Sequence, residues 1–280
     1  MSRERIATLF ERACLAELDA LKPGNVHRFA AGHGMTVSEF EASAVAAAPA
    51  IARPGAPLGA RILEAVAATR AAVGTNTNLG ILLLCAPLAA AAERSGPLRQ
   101  AVVEVLAASD RDDTRQVYAA IRLARPGGLG RVAKGDVAQE PDFPLLEAMR
   151  LAEARDRIAW NWTHGLADPF EIGAPLLDAL EVRGWSEPWA LTGLHLHLLA
   201  RIPDSHVARK FGNDTAEALR AEAAPLARRL LAAVRPECFE EELLAFDTGL
   251  KARGLNPGTT ADLVVASLFA RLLLRARANR

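Results

Sequence analysis

Leu79-Gly-Ile-Leu-Leu-Leu-Cys-Ala-Pro-Leu-Ala-Ala-Ala-Ala92 runs without a single charged, hydroxyl or amide side chain. A helix that is apolar all round belongs in a membrane or at the centre of a protein. Pro87 interrupts this one, and it falls short of the roughly 18 residues that a membrane span requires, so it reads as a buried core helix. Immediately before it stands a polar, glycine-bounded stretch, Gly74-Thr-Asn-Thr-Asn-Leu-Gly80. Four further segments repeat that kit of glycine, amide or hydroxyl groups, cation and carboxylate: Lys22-Pro-Gly-Asn-Val-His27, Gly130-Arg-Val-Ala-Lys-Gly-Asp136, Asp204-Ser-His-Val-Ala-Arg-Lys-Phe-Gly212 and Asn256-Pro-Gly-Thr-Thr-Ala-Asp262. Most stand just before an apolar helical run. Helix N-termini with free N–H groups and nearby glycine are natural anion sites.

Outward from residue 79 the period stays helical. Ile6, Phe10, Cys14, Glu17 and Leu21 follow a three-four spacing that Pro23-Gly24 stops. Thr36-Val-Ser-Glu39 is a capping-box pattern, Pro57 suits a first helical turn, and helix starts are expected after Pro97, at Asp112, Leu145, Asp168, Ser186, Thr215 and Glu237. Residues 125–142 hold many glycines and no period, so they form the longest expected loop, the kind that serves as a lid or binding element. No stretch alternates like a strand and no linker divides the chain. The expectation is all-α: one domain over residues 1–280, a multi-helix bundle of about a dozen helices with a polar inter-helix cleft.

Hydrophobic residues make up 51% of the 280, aromatic ones only 5%, so Ala, Leu and Val pack the core. Lys+Arg and Asp+Glu both total 33, which leaves no basic excess for nucleic acid. Cys14, Cys85 and Cys238 share no metal spacing and read as small buried hydrophobes in a reducing compartment. The charged N-terminus does not read as a signal peptide. A cytoplasmic protein, binding neither membrane nor nucleic acid, is expected. The apolar last helix suits either a homodimer or core packing.

Glu17 falls on the apolar face of its helix, where a carboxylate must be paired, metal-bound or of raised pKa, unless it reaches water at the helix flank. Asn76, Thr77, Asn78 and Gly80 exceed what capping needs and can ring a phosphate or ribose. Asp204, His206, Arg209 and Lys210 could handle Mg²⁺ and phosphate oxygens together; a solvated charged turn is the ordinary alternative. Asn256, Thr259 and Thr260 are more polar than a cap requires, while Asp262 either caps its own helix or carries chemistry. His27 and His33 frame a loop with Lys22, Gly24 and Asn25, without metal-ligand spacing. His195, His197, Trp160 and Trp162 read as structural.

Taken in order, these segments resemble the triphosphoribosyl-dephospho-CoA synthase family. Lys22-Pro-Gly-Asn-Val looks like its PKPG-x-V segment, Ser43-Ala44 like its mid-helix SA pair, Asn76-Thr77 with Gly80 like its NTH-x-G element, and Asp262-Leu263 like its closing ADL element. The resemblance implies an all-helical transferase in which the 2′-hydroxyl of dephospho-CoA attacks C1′ of ATP and adenine leaves. It implies carboxylate chemistry at Glu17 and Asp262, Mg²⁺ at Asp204 and Asp262, ATP as substrate and a coenzyme precursor as partner. Phosphate contacts fall to the remaining residues named, Ser43 included. The chain has His27 where the family commonly has Asp, and Asn78 and Leu79 where it commonly has His and Lys. A branch found beside methanopterin or methanofuran genes is similar too, so an enzyme of one-carbon cofactor assembly is an alternative. A non-catalytic nucleotide-binding helical protein is another.

Overall fold

The run at 79–92 is the core helix that its composition demands. In a computed structural model describing residues 1–30 and 34–278, the helices are α1 (Arg3–Leu18), α2 (Val37–Ile51), α3 (Leu58–Val73), α4 (Leu79–Ala92), α5 (Leu98–Ala107), α6 (Arg111–Ala124) and α7 (Leu145–Ala152). They continue as α8 (Arg157–Thr163), α9 (Ala174–Val182), α10 (Glu187–Leu199), α11 (Ser205–Phe211), α12 (Asn213–Ala232), α13 (Glu240–Ala252) and α14 (Gly258–Ala278). A π-helical turn, Asp168–Gly173, leads into α9, and a 3-10 turn, Pro236–Phe239, leads into α13. No strand occurs among the described residues.

All of α4 is buried except Gly80 and Ala90. With apolar side chains all round, it is held by neighbours on several sides, α3, α5, α8 and α14 among them. The last helix is its partner at the centre: Thr259–Ala261 and Leu263–Leu273 are buried, against α1, α4, α10 and the π-helical turn. The apolar surface of α14 is thus spent inside the chain, and core packing accounts for it. Gly173 lets the π-helical turn lie on α14, since a Cβ there would stand 2.0 Å from Ser267 Oγ.

Three local readings change. Residues 204–212 are not a loop: Asp204 is the N-cap of α11, its side chain accepting from the Val207 N–H at 3.0 Å. Seven residues are too few for the three-four period to show. The helix expected to run from 145 toward Trp160 breaks after Ala152, because Asp156 caps α8 by accepting from the Ile158 and Ala159 N–H groups. Cys238 is exposed in the 3-10 turn, whereas Cys14 and Cys85 are buried as expected.

Helices α3 and α6 cross at Gly59, whose N–H donates to Asp113 Oδ1 at 2.7 Å. A Cβ at Gly59 would lie 2.7 Å from Asp113 Cα and 2.8 Å from its carbonyl oxygen, where no flexible side-chain tip can yield. Gly59→Ala is expected to destabilise the fold by about 1–3 kcal/mol, despite roughly 1 kcal/mol of better helix propensity. A lower urea midpoint at unchanged slope would register it.

Candidate active site

A cavity of about 660 Å³ opens where the end of α1, the starts of α4 and α14, helices α8 and α11 and the segment after α6 meet. Its polar wall is built from chain ends. Helix α1 ends at Leu18, earlier than Pro23-Gly24 would require, and the turn through Pro23-Gly24 brings Asn25 to the cavity with Glu17. The approach to α4 contributes Asn76, Thr77 and Asn78, with Gly80 in its first turn; Asn256 precedes α14, whose first turns contribute Gly258, Thr259 and Asp262.

Four carboxyls line this space. Asp136 accepts from the Val132 and Ala138 N–H groups, and Asp156 caps α8 and pairs with Arg209. Glu17 and Asp262 stand under different constraints. Glu17 is buried, and its Oε1 is held by Lys22 Nζ, itself fully buried. Burial pushes the Glu17 carboxyl up and the Lys22 ammonium down from their usual ranges, while each partner's charge resists the other's neutralisation. Asp262 is partly open to the cavity and has no hydrogen-bond partner among the described residues. Desolvation first, then the charges of Asp204 and Glu17, hold its pKa well above the ordinary carboxylate range. Its position depends on Gly80, where a Cβ would fall 2.0 Å from Asp262 Oδ2. The N-terminus of α4 beside it favours the anion, but a helix end contributes only about 0.3–1 kcal/mol in ordinary settings. Burial wins. Both carboxyls are pushed up, Glu17 against the opposing charge of Lys22 and Asp262 further with no hydrogen bond to offset it, and such an inequality is what acid–base pairs use.

Part of the rim is cationic. Arg70, Arg125, Arg155, Arg209 and Lys210 all line the cavity. Arg209 donates from Nε to the Gly127 carbonyl at 3.2 Å and pairs with Asp156 at 3.4 Å. The segment 125–144 lies directly on this rim: a Cβ at Gly127 would be 2.9 Å from Lys210 Cε, and Gly128 has φ +75°. Tyr118 Oη anchors the same segment by donating to the Gly135 carbonyl at 2.9 Å.

Twelve of the residues singled out in the sequence line the cavity: Glu17, Asn25, Asn76, Thr77, Asn78, Gly80, His206, Arg209, Lys210, Asn256, Thr259 and Asp262. Several spend part of their polar capacity on the frame. Asn76 Oδ1 accepts from the Leu79 N–H, Thr77 Oγ1 donates to Ser43 Oγ, and Asn78 Nδ2 donates to Thr69 Oγ1. Six others do not line it. Lys22 stands behind Glu17, and Ser43 behind Thr77. Gly24 packs under Pro257, its N–H donating to Asp247 Oδ1 at 2.8 Å. His27 is fully buried against Asp247 at 3.4 Å, and burial lowers its pKa. Asp204 is buried with Oδ1 on the Val207 N–H and Oδ2 on the Thr260 N–H and hydroxyl, so that α11 is tied to α14. A cation at Asp204 would have to displace these bonds, and no cluster of three or more His, Cys, Asp or Glu suited to a metal occurs among the described residues. His33 lies outside the described residues. Sequence reading missed Arg70, Arg125, Arg155 and Asp156; the signal for Arg125 was its place at the mouth of the long glycine-rich segment, where it adopts φ 50°.

His195 and the tryptophans are structural, as expected. His195 is fully buried near the Pro23 carbonyl, with a pKa depressed to about 3 mainly by desolvation. Trp162 donates to the Leu83 carbonyl at 3.0 Å, and Trp160 stacks on His164 at 4.1 Å.

An all-helical bundle that closes carboxyls and a partly cationic rim on one cavity is the architecture of an enzyme for a small anionic substrate. The chain belongs to the CitG family, ATP:dephospho-CoA triphosphoribosyl transferase, whose model matches residues 3–280. A crystal structure from Archaeoglobus fulgidus, provisionally described as a triphosphoribosyl-dephospho-CoA synthase, is similar at a TM-score of 0.64. It is 29% identical and covers 82% of this chain and 97% of that one. No curated protein matches the chain. No helix among the described residues is long and apolar enough to cross a membrane.

Asp262 offers a direct electrostatic test. Its folded-state pKa is raised, so the native state binds this proton more tightly than the unfolded chain, and stability falls as pH climbs between the two values. Asp262→Asn is therefore expected to melt at a higher temperature than the wild type near pH 8. The gap should close below about pH 4, where the carboxyl is protonated in both states. Thermal unfolding across pH reads both limits.

Proposed function

We propose that this cavity transfers the triphosphoribosyl group of ATP to a hydroxyl of dephospho-CoA, with Asp262 as the acid and Glu17 as the base. One observation carries the assignment: of the carboxyls lining the cavity, Glu17 is paired with a buried ammonium and Asp262 has no hydrogen-bond partner among the described residues. In the reaction the C1′–N bond to adenine breaks and a bond from the acceptor oxygen to C1′ forms. Asp262 delivers its proton to the departing base, so adenine leaves neutral. Glu17 takes the proton of the attacking hydroxyl, and proton exchange with solvent resets both groups. Positive charge develops at the ribose carbon meanwhile, and anionic carboxylates nearby stabilise it.

The triphosphate belongs at the cationic rim. Arg209 and Lys210 stand on α11, with Arg125 and Arg155 beside them, and charge-assisted contacts from several such groups match a polyanion. Mg²⁺ enters in this reading as the counter-ion of ATP, part of the substrate, because Mg²⁺ is usually bound through substrate phosphates with one or two carboxylates. That arrangement asks for no protein metal cage. The same substrates favour a cytoplasmic protein.

Adenine release on mixing Mg-ATP with dephospho-CoA is the test. Asp262→Asn and Glu17→Gln are each expected to lower kcat by about 10²–10⁴-fold, the range of general acid–base contributions. Arg209→Ala is expected to act chiefly on KM for ATP. Normal turnover in both carboxyl variants would overturn the assignment.

A further inference from the structure

Buried amides can point either way round unless something fixes their polarity. Lys22 Nζ is such a fixture, because an ammonium only donates. Beyond Glu17 it reaches Asn25 Oδ1 at 3.4 Å. Asn25 must therefore turn its oxygen to Lys22, and its Nδ2 donates to Asn256 Oδ1 at 2.8 Å. Asn256 is then oriented as well. Its oxygen is spent on Asn25, while its own Nδ2 has no partner among the described residues and is not sealed in the interior. Turning Asn256 alone would set donor against donor at 2.8 Å. Only the two amides flipped together would satisfy each other, and the Lys22 ammonium forbids that.

The backbone around these amides is pinned. Gly258 N–H donates to the Asn256 carbonyl at 2.8 Å, and Pro257 sits on Gly24, whose N–H is held by Asp247. Glu17, Asn25 and Asn256 line the cavity. The Lys22 ammonium is already taken up by Glu17, so it is not free to meet a phosphate at this end, and a neutral donor here matches a neutral lone pair. We propose that Lys22 is a positioning residue that fixes the Asn256 amide, through Asn25, as a donor to a neutral lone-pair atom of the nucleotide beside Glu17. That atom is a ribose hydroxyl oxygen or a purine ring nitrogen. The inference rests on the nucleotide reading of the cavity and adds the residue that selects the substrate's reacting end.

Asn256→Asp tests it, because the new side chain keeps the shape and donates only when protonated. Binding of Mg-ATP is measured by calorimetry and divided by the wild-type value at each pH. The division cancels the titration of Glu17, Lys22, Asp262 and His206 around the amide, and of His27, Asp247 and Lys251 behind it. Asn256→Asp is expected to weaken binding roughly 10- to 100-fold near pH 8.5, the cost of one unmade buried hydrogen bond. The deficit should narrow at least about threefold toward pH 5, since only the protonated fraction binds fully. Asn256→Ala should show a deficit that does not narrow. In a Lys22→Met background the amides can flip as a pair, and adding Asn256→Asp should then cost less than about threefold, the non-additivity expected of coupled neighbours. Adenosine, measured in parallel, is expected to show the same deficit, and inorganic triphosphate none. If wild-type protein binds no Mg-ATP, the nucleotide reading fails and this inference falls with it. If the wild type binds and Asn256→Asp stays within about threefold at pH 8.5, or its deficit ignores pH, the inference fails and the nucleotide reading stands.

Discussion

An ammonium and a carboxylate buried together carry the centre of this molecule. Taking two such ions out of water costs several kcal/mol each, and their attraction offsets that only when geometry is good and remaining donors are satisfied. Lys22 meets the condition with Glu17 on one side and Asn25 on another. The arrangement is possible only if α1 ends where it does, the chain turns at Pro23-Gly24, and the segment before α14 lies against that turn. Asp247 on α13 ties the turn down by accepting from Gly24 N–H and pairing with His27 and Lys251. Loss of either buried ion would leave the other uncompensated, so the two positions constrain each other more strongly than any contact on the surface.

From that pair outward the site follows from how apolar helices begin. Helices α4 and α14 must be buried, and their polar leading segments cannot be buried without partners. The segments therefore meet at one end of the two helices, along the wall of a cavity. Gly80 allows a close approach, with the Asp262 carboxyl standing where a side chain at position 80 would be. Cations arrive from a different direction, on α11 and the segment that follows α6. The cavity consequently carries acidic and basic groups together, with Arg209 acting on Asp262 as well as pairing with Asp156.

Much of this was legible in the chain. The α4 run announced a core helix, and the register of α1 put Glu17 on its buried face. What escaped was what only tertiary contact decides. Asp204 looked like a ligand because nothing local shows that Thr260 occupies one of its oxygens. Lys22 looked like a phosphate contact because its partner is a carboxylate one helical turn back, on a face whose burial depends on α10 and α14. Arg70, Arg125 and Arg155 drew no site reading, because no local pattern distinguishes a cavity cation from a solvated one. His27 gave no sign of its partner, because Asp247 is remote in sequence and stands beside it only in the fold.

The distribution of sulfur has a practical side. Cys14 and Cys85 sit in the core within reach of the Asp262 charge, where desolvation first and neighbouring negative charge second push both thiols well up. Thiolate, the species that alkylating reagents attack, is scarce in both places. Cys238 alone among the three is exposed, on the 3-10 turn before α13. A maleimide dye would therefore mark one place on the unmodified chain and spare the core thiols, giving a fluorescent or spin-labelled reporter without any engineering.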